Sequence, residues 1–171
     1  MEIILARHGE TDWNLSGRLM GRKDISLNEC GREQARNLRE KLLDMDFDCC
    51  FSSPLMRALE TAEIVCGDRC KIICDDNLME RYGGKMEGQI VKNWDELKND
   101  DTAETDAEIL ARARTFLKML GETGCKRVLV VSHNGLLRNL RYCILGEVGE
   151  FDYGKGNFEN CGFEVCTYCC Q

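Results

Sequence analysis

The sequence contains no apolar run long enough to cross a bilayer, which excludes a helical membrane protein. It also lacks the charged, apolar and small-residue order of a secretory signal, because Met1-Glu2 leads directly into the apolar Ile3-Ile4-Leu5-Ala6. The expected location is therefore the cytoplasm. Positive charge is in deficit: 23 lysines and arginines face 30 acidic residues, for a net charge of −7. No basic stripe is interleaved with aromatics, so nucleic acid is not an expected partner. No basic amphipathic helix is present either, so a membrane surface is not expected. Proline occurs once and histidine twice.

Cysteine is the exception to this scarcity, with twelve residues. Cys66, Cys70 and Cys74 are evenly spaced, and Cys161, Cys166, Cys169 and Cys170 crowd the C-terminus. Neither set contains a CxxC pair answered by a second pair at zinc-site spacing, so no metal is assigned. The cysteines read as reduced thiols acting as small apolar side chains.

At 171 residues, 43% hydrophobic and 31% charged, the chain has the length of one domain, 1–171, with a sizeable core. Apolar periodicity predicts strands at 3–6, 48–51, 71–74, 128–131 and 163–168. It predicts helices over 28–44, from Ser53-Pro54 onward, over 105–120 and over 135–145. Ser53 is the expected N-cap of the second helix, with Pro54 at its first position. Thr105-Asp106-Ala107-Glu108 reads as a capping box. Val128-Leu129-Val130-Val131 is apolar throughout and is expected to be central. Residues 75–104 read as irregular. Alternating strands and helices imply an α/β fold: a three-layer α/β/α sandwich on a mixed, mainly parallel sheet.

Ligands of such sheets bind beyond the carboxyl ends of the strands. Arg7-His8-Gly9-Glu10 follows the first strand, and Ser52-Ser53-Pro54 with Arg57 follows the second. Asp75 to Glu80 follows the third, and Ser132-His133-Asn134-Gly135 follows the fourth. Both histidines, two arginines and a carboxylate thus fall on one edge. Arginines near free backbone N–H groups suit an oxyanion, phosphate above all. A neutral histidine beside them can attack phosphorus. A protonated carboxyl group can supply the leaving oxygen's proton and afterwards activate water. That chemistry uses no metal and no cofactor.

At these residues the chain resembles the histidine phosphatase superfamily, which includes the cofactor-dependent phosphoglycerate mutases. The matching stretches are Arg7-His8-Gly9-Glu10-Thr11 with Asn14, and Ser52-Ser53-Pro54-Leu55-Met56-Arg57-Ala58 running into Glu60-Thr61-Ala62. Leu78-Met79-Glu80 with Gly84 and Glu87-Gly88 follows, and then Val131-Ser132-His133-Asn134-Gly135 with Arg138. The resemblance implies that His8 accepts the phosphoryl group. It implies that Arg7, Arg57 and His133 hold its oxygens, with Asn14 touching the same pocket, and that Glu80 is proton donor and then base. Asn134 and Gly135 would let backbone approach the ligand, and Gly21 would line the substrate side. The implied partner is a small phosphorylated metabolite; no oligomeric state follows from the pattern.

The chain departs from the family pattern in places. Arg18-Leu19-Met20-Gly21 puts methionine where the family usually has a polar residue. The segment at about 81–104, which helps family members to choose their substrate, is short. Residues 95–108 hold seven acids and one lysine. They read as a solvated loop or, alternatively, as a flap that repels surplus negative charge. A mutase needs cations for a second phosphate, and Arg18, Arg22, Lys23, Arg81 and Lys85 are the candidates. The acidic run favours phosphatase over mutase. The alternative readings are a phosphoglycerate mutase and a non-catalytic phosphate-binding module.

Overall fold

The structure, a computed structural model, describes residues 1–91, 97, 99–146 and 156–169. Residues 95, 96 and 98 of the acidic run, and Cys170, lie outside the described residues. A five-stranded sheet is built from β1 (Glu2–Arg7), β2 (Cys49–Ser52), β3 (Ile72–Cys74), β4 (Arg127–Ser132) and β5 (Phe163–Thr167). The order is β3-β2-β4-β1-β5. Neighbours are parallel except β1 and β5, so the sheet is mixed but mainly parallel. The apolar strand expected to be central, β4, occupies the middle position.

Side chains alternate across a strand, and the two faces of this sheet bury different sets. Ile4 and Ala6 of β1, with Leu129 and Val131 of β4, pack against Ala35, Leu38, Ala58 and Val65. Those four residues come from α2 (Glu29–Lys41) and α3 (Met56–Cys66). Ile3, Leu5, Val128 and Val130 face the other way, onto Ile109, Phe116, Leu136 and Leu140. Those residues come from α4 (Asp106–Glu122) and α5 (Asn134–Ile144). Burying each such large side chain stabilises the fold by about 1.5–3 kcal/mol. The result is the three-layer sandwich, with the sheet between two helix pairs. Cys50 and Cys66 are fully buried and pack in the α2–α3 layer as small apolar groups. Among the described residues, no helix is long and apolar enough to cross a membrane.

Local signals account for most helix starts. Asn28 caps α2, its Oδ1 accepting from Gly31 N at 2.8 Å. Thr105 and Glu108 form the expected capping box at the start of α4. The expected start of α3 at Ser53-Pro54 is wrong. The helix begins at Met56, and Leu55 takes the N-cap position with no side-chain cap of its own. The first helical N–H, that of Met56, instead donates to Asp24 Oδ1 at 2.7 Å. The cap comes from a residue 32 positions earlier, and the Ser53 hydroxyl is used elsewhere. A four-residue helix, α1 (Asp12–Leu15, ahead of α2), was not expected; Thr11 caps it.

Candidate active site

Strand register brings the two histidines together. Arg7 of β1 pairs with Ser132 of β4, so His8 and His133 each stand one residue beyond aligned strand ends. Their ring centroids are 5.1 Å apart. Both are buried. His8 Nδ1 lies 2.7 Å from the Gly9 carbonyl oxygen. A carbonyl can only accept, so Nδ1 carries the hydrogen and Nε2 keeps its lone pair. Burial holds the His8 pKa well below the ordinary histidine value, and the cations Arg57 and Arg7 lower it further. A neutral imidazole with Nε2 unprotonated is the nucleophilic form.

The Gly9 N–H donates to Thr61 Oγ1 at 3.1 Å, and Thr61 Oγ1 donates to the Arg57 carbonyl at 2.6 Å. One buried threonine thus ties the turn carrying His8 to the helix carrying Arg57. Gly9 has no substitute here, because a Cβ would run into the backbone of Gly31.

The Arg57 side chain is fully buried and donates to the carbonyls of Gly21 and Lys23, both at 2.8 Å. Burial pulls its pKa down to about 10, against the opposing pull of Glu80, so it stays cationic at neutral pH. Arg7 donates to the Phe158 carbonyl at 2.7 Å. Three buried nitrogens here have no partner among the described residues: Nε of Arg7, Nε of Arg57 and Nδ1 of His133. Unsatisfied buried donors at one place suit an anion.

These residues border a cavity of about 300 Å³, with Arg7, His8, Asn14, Gly21, Arg57 and Glu80 on its wall, together with Asn134 and Gly135. The Asn14 carbonyl oxygen accepts from Thr11 N, Thr11 Oγ1 and Asn160 Nδ2. Its amide NH2 is therefore the group left for an oxyanion. Met20 is also on the wall, where its sulfur lies 3.2 Å from Thr11 Oγ1. That contact explains how an apolar residue is accommodated at the position.

Both oxygens of Glu80 accept from backbone N–H groups, Oε1 from Arg81 at 2.8 Å and Oε2 from Gly135 at 3.2 Å. The second bond places the carboxylate at the N-terminus of α5, where negative charge is favourable. Gly135 permits the approach, since a Cβ there would collide with Glu80 Oε1.

His133 is not on the cavity wall. It stands beside His8, with Nε2 at 2.8 Å from Ser53 Oγ. Ser53 Oγ also accepts from Leu55 N at 3.3 Å, and Nδ1 of His133 has no partner among the described residues. The Asn134 side chain is spent on Asn157 and Phe158 N. Sequence reasoning missed three features here. One is the role of Ser53. Another is a strap, 157–161, whose Asn160 donates to the His8 carbonyl at 3.1 Å and whose Cys161 N–H reaches the carbonyls of Arg7 and His8. The third is Arg112, which bonds the main chain around Glu80.

The acidic run is not a bare charged flap. Its described acids are engaged: Glu104 with Arg112 and Arg22, Asp106 with Arg81, and Asp100 and Asp101 with Lys85. Among the described residues, no group of three His, Cys, Asp or Glu side chains is placed to hold a metal ion.

The buried histidines make stability depend on pH. Burial first, and Arg57 next, also hold the pKa of His133 well below its ordinary value. The unfolded chain therefore binds protons near pH 6.5 that the folded chain refuses. Stability is fully present above that pH and is lost as pH falls below it, by up to about 1.4 kcal/mol per pH unit for each histidine. Urea unfolding at pH 7.5 and 5.5 is expected to show the drop, and His133→Gln to reduce it. Equal slopes in wild type and variant would show that His133 is not buried neutral.

Known proteins resemble the chain in sequence and in fold. The chain is 32% identical over 159 residues to phosphoglycerate mutase-like protein 4 of Arabidopsis thaliana, covering 81% of this chain and 69% of that protein. It is 32% identical over 182 residues to a probable 2-carboxy-D-arabinitol-1-phosphatase of the same plant, covering 97% of this chain but 38% of the longer relative. The crystal structure of a phosphoserine phosphatase from Entamoeba histolytica, in complex with 3-phosphoglyceric acid, superposes with a TM-score of 0.79 at 27% identity, covering 96% of this chain and 89% of that one. The sequence model of the histidine phosphatase superfamily (branch 1) matches residues 3–169, nearly the whole chain. With both histidines, both arginines and Glu80 gathered at one sheet edge, the chain belongs to the histidine phosphatase superfamily.

Proposed function

We propose that the chain is a metal-independent phosphatase that hydrolyses a small phosphomonoester through a phosphohistidine on His8. The observation that carries this reading is the His8 tautomer: Nδ1–H fixed on the Gly9 carbonyl, and Nε2 left with its lone pair in a neutral ring. In the first step Nε2 attacks phosphorus, a P–N bond forms and the ester P–O bond breaks. Arg7, Arg57, Asn14 and His133, whose unpartnered Nδ1 carries a hydrogen in this reading, stabilise the charge on the phosphoryl oxygens. Protonated Glu80 gives its proton to the leaving oxygen. In the second step Glu80 takes a proton from water, which attacks phosphorus, breaks the P–N bond and releases inorganic phosphate. Gly21, Asn134 and Gly135 line the substrate side.

Phosphatase is favoured over mutase by how the spare cations are used. Of the five candidates for a second phosphate, Arg22, Arg81 and Lys85 are each paired with a carboxylate, and Lys23 is exposed. Arg18 donates to the Gly88 carbonyl at 2.8 Å. In this reading residues 1–171 form one domain, and the segment at about 81–104 is a substrate-side insert. The described cysteines are free thiols, in keeping with the reducing cytoplasm.

The test is hydrolysis of aryl phosphates in the presence of a chelator, beside conversion of phosphoglycerate with and without bisphosphoglycerate. Hydrolysis without the bisphosphate supports the phosphatase, and activity only with it makes the chain a mutase. Glu80→Gln is expected to lower kcat/KM, which reports the first step alone, roughly 10²-fold or more for esters with poor leaving groups and little for an activated aryl ester. Equal losses of kcat/KM on both would make Glu80 a structural residue. Phosphorylated carboxylic acids, sugar phosphates, nucleoside-like monophosphates and protein phosphohistidine form the substrate panel.

A further inference from the structure

Glu80 sits on irregular chain, with no strand or helix to fix its depth in the cavity. The carbonyls of Asn77, Met79 and Glu80 have no main-chain partner among the described residues. All three accept from one side chain. Arg112 NH1 donates to Asn77 O at 2.6 Å and Met79 O at 3.1 Å, and NH2 donates to Glu80 O at 3.4 Å. The other edge of the same guanidinium grips Glu104, Nε to Oε1 at 2.6 Å and NH2 to Oε2 at 2.8 Å.

Glu104 extends the clamp. Its side chain is 7% exposed, and it also accepts from Tyr82 N at 3.1 Å and lies 3.4 Å from Arg22 NH2. Arg22 Nε in turn donates to the Glu80 carbonyl at 3.3 Å. Residues 77–82 are therefore gripped on both sides of Glu80 by two arginines that share one carboxylate. Only a planar fork with five donors can hold three carbonyls and a bidentate carboxylate together, so lysine is no equivalent.

We propose that Arg112 is a positioning residue for Glu80, setting through the Glu104-linked clamp where the carboxyl group stands relative to His8. The proposal rests on the phosphatase reading for its kinetic consequence and on the clamp geometry alone for its structural one. A proton donor about 1 Å out of place loses roughly 10²-fold. In kcat/KM, which reports the transfer to His8 alone, that loss falls only on esters whose leaving oxygen needs the proton.

The experiment is a series of aryl and alkyl phosphates of rising leaving-group pKa, assayed with wild type, Arg112→Ala, Arg112→Lys and Glu104→Gln. Arg112→Ala is expected to lose roughly 10²-fold in kcat/KM, which reports the first step alone, on phenyl and alkyl esters. Its kcat/KM on 2,4-dinitrophenyl phosphate is expected to stay close to wild type. Lysine should rescue only part of the loss, and Glu104→Gln should show the same pattern in weaker form. In a Glu80→Gln background, Arg112→Ala should add little. A uniform loss across the series, or a full additional loss in that background, overturns the proposal. Should Arg112→Ala fail to fold, the lysine and Glu104→Gln variants carry the same test. A crystal structure of the folded variant with the weakest activity supplies a readout independent of turnover. Loss of the bond from Gly135 N to Glu80 supports the clamp, and an unmoved Glu80 refutes it. Absence of hydrolysis in the wild type would count against the phosphatase reading, while the structural arm still decides the positioning claim.

Discussion

Replacing His8 with alanine is expected to abolish phosphoenzyme formation and to lower turnover by on the order of 10⁴-fold or more. Among the described residues that line the cavity, His8 is the one imidazole, buried and neutral, with Nε2 keeping its lone pair. Nothing adjacent can take over. His133 has its Nε2 engaged with Ser53, and Asn14 offers an amide nitrogen, which is not a nucleophile. Arg7, Arg57 and Asn14 remain in the variant, so phosphate and phosphomonoesters should still bind. The pair of measurements is therefore acid-labile phosphoryl label on the protein after mixing with substrate, and binding of inorganic phosphate by calorimetry. Binding without labelling or turnover is the expected result. Turnover that survives in His8→Ala would remove His8 from the reaction. Loss of binding as well would mean that the imidazole shapes the anion site rather than attacking phosphorus.

Arg57→Ala is expected to have the second-largest effect, roughly 10³-fold in kcat/KM, because a desolvated cation beside a transferring phosphoryl group is worth that order of rate. Two further consequences separate this role from general loss of fold. Arg57 is the foremost cation depressing the pKa of His8, second in effect only to burial. Removing the charge makes the imidazolium easier to form, so the His8 pKa rises. The neutral ring is the reactive form, so the acidic limb of the kcat/KM profile should move to higher pH. Arg57→Lys keeps the charge but cannot hold the Gly21 and Lys23 carbonyls with the same fork. It should leave the acidic limb near its wild-type position while still lowering the rate. An acidic limb that stays put in Arg57→Ala would show that Arg57 does not act on His8 electrostatically.

The acids of the run at 95–108 illustrate how far linear charge can mislead. Read along the chain they form a block of surplus negative charge. In the folded molecule Glu104 is a buried partner of two arginines, and Asp106 and Asp100 are held by Arg81 and Lys85. In the phosphatase reading proposed above, the acids matter for the cations they occupy: Arg22, Arg81 and Lys85, three of the five candidates for a second phosphate.

What the sequence determined by itself was local in origin. Apolar runs at 3–6 and 128–131 marked buried parallel strands, because a strand covered on both faces has no polar alternation. Thr105 and Glu108 marked the start of α4, because a capping box closes within four residues. Four motifs in order placed His8, Arg57, Glu80 and His133 at strand ends, and the parallel topology then made them neighbours. Tertiary structure alone decided the rest. Ser53 and Pro54 carry the marks of a helix start, yet the Ser53 hydroxyl turns to His133, 80 residues away, and Asp24 supplies the cap to α3. The Arg7 guanidinium finds the Phe158 carbonyl 151 residues on, and Arg112 finds three carbonyls more than 30 residues behind it. A capping box or an apolar stripe is written in spacing along the chain, because its partners are within one turn or one strand. A hydrogen bond between distant segments leaves no such period, because which donor meets which acceptor is settled only when the layers pack.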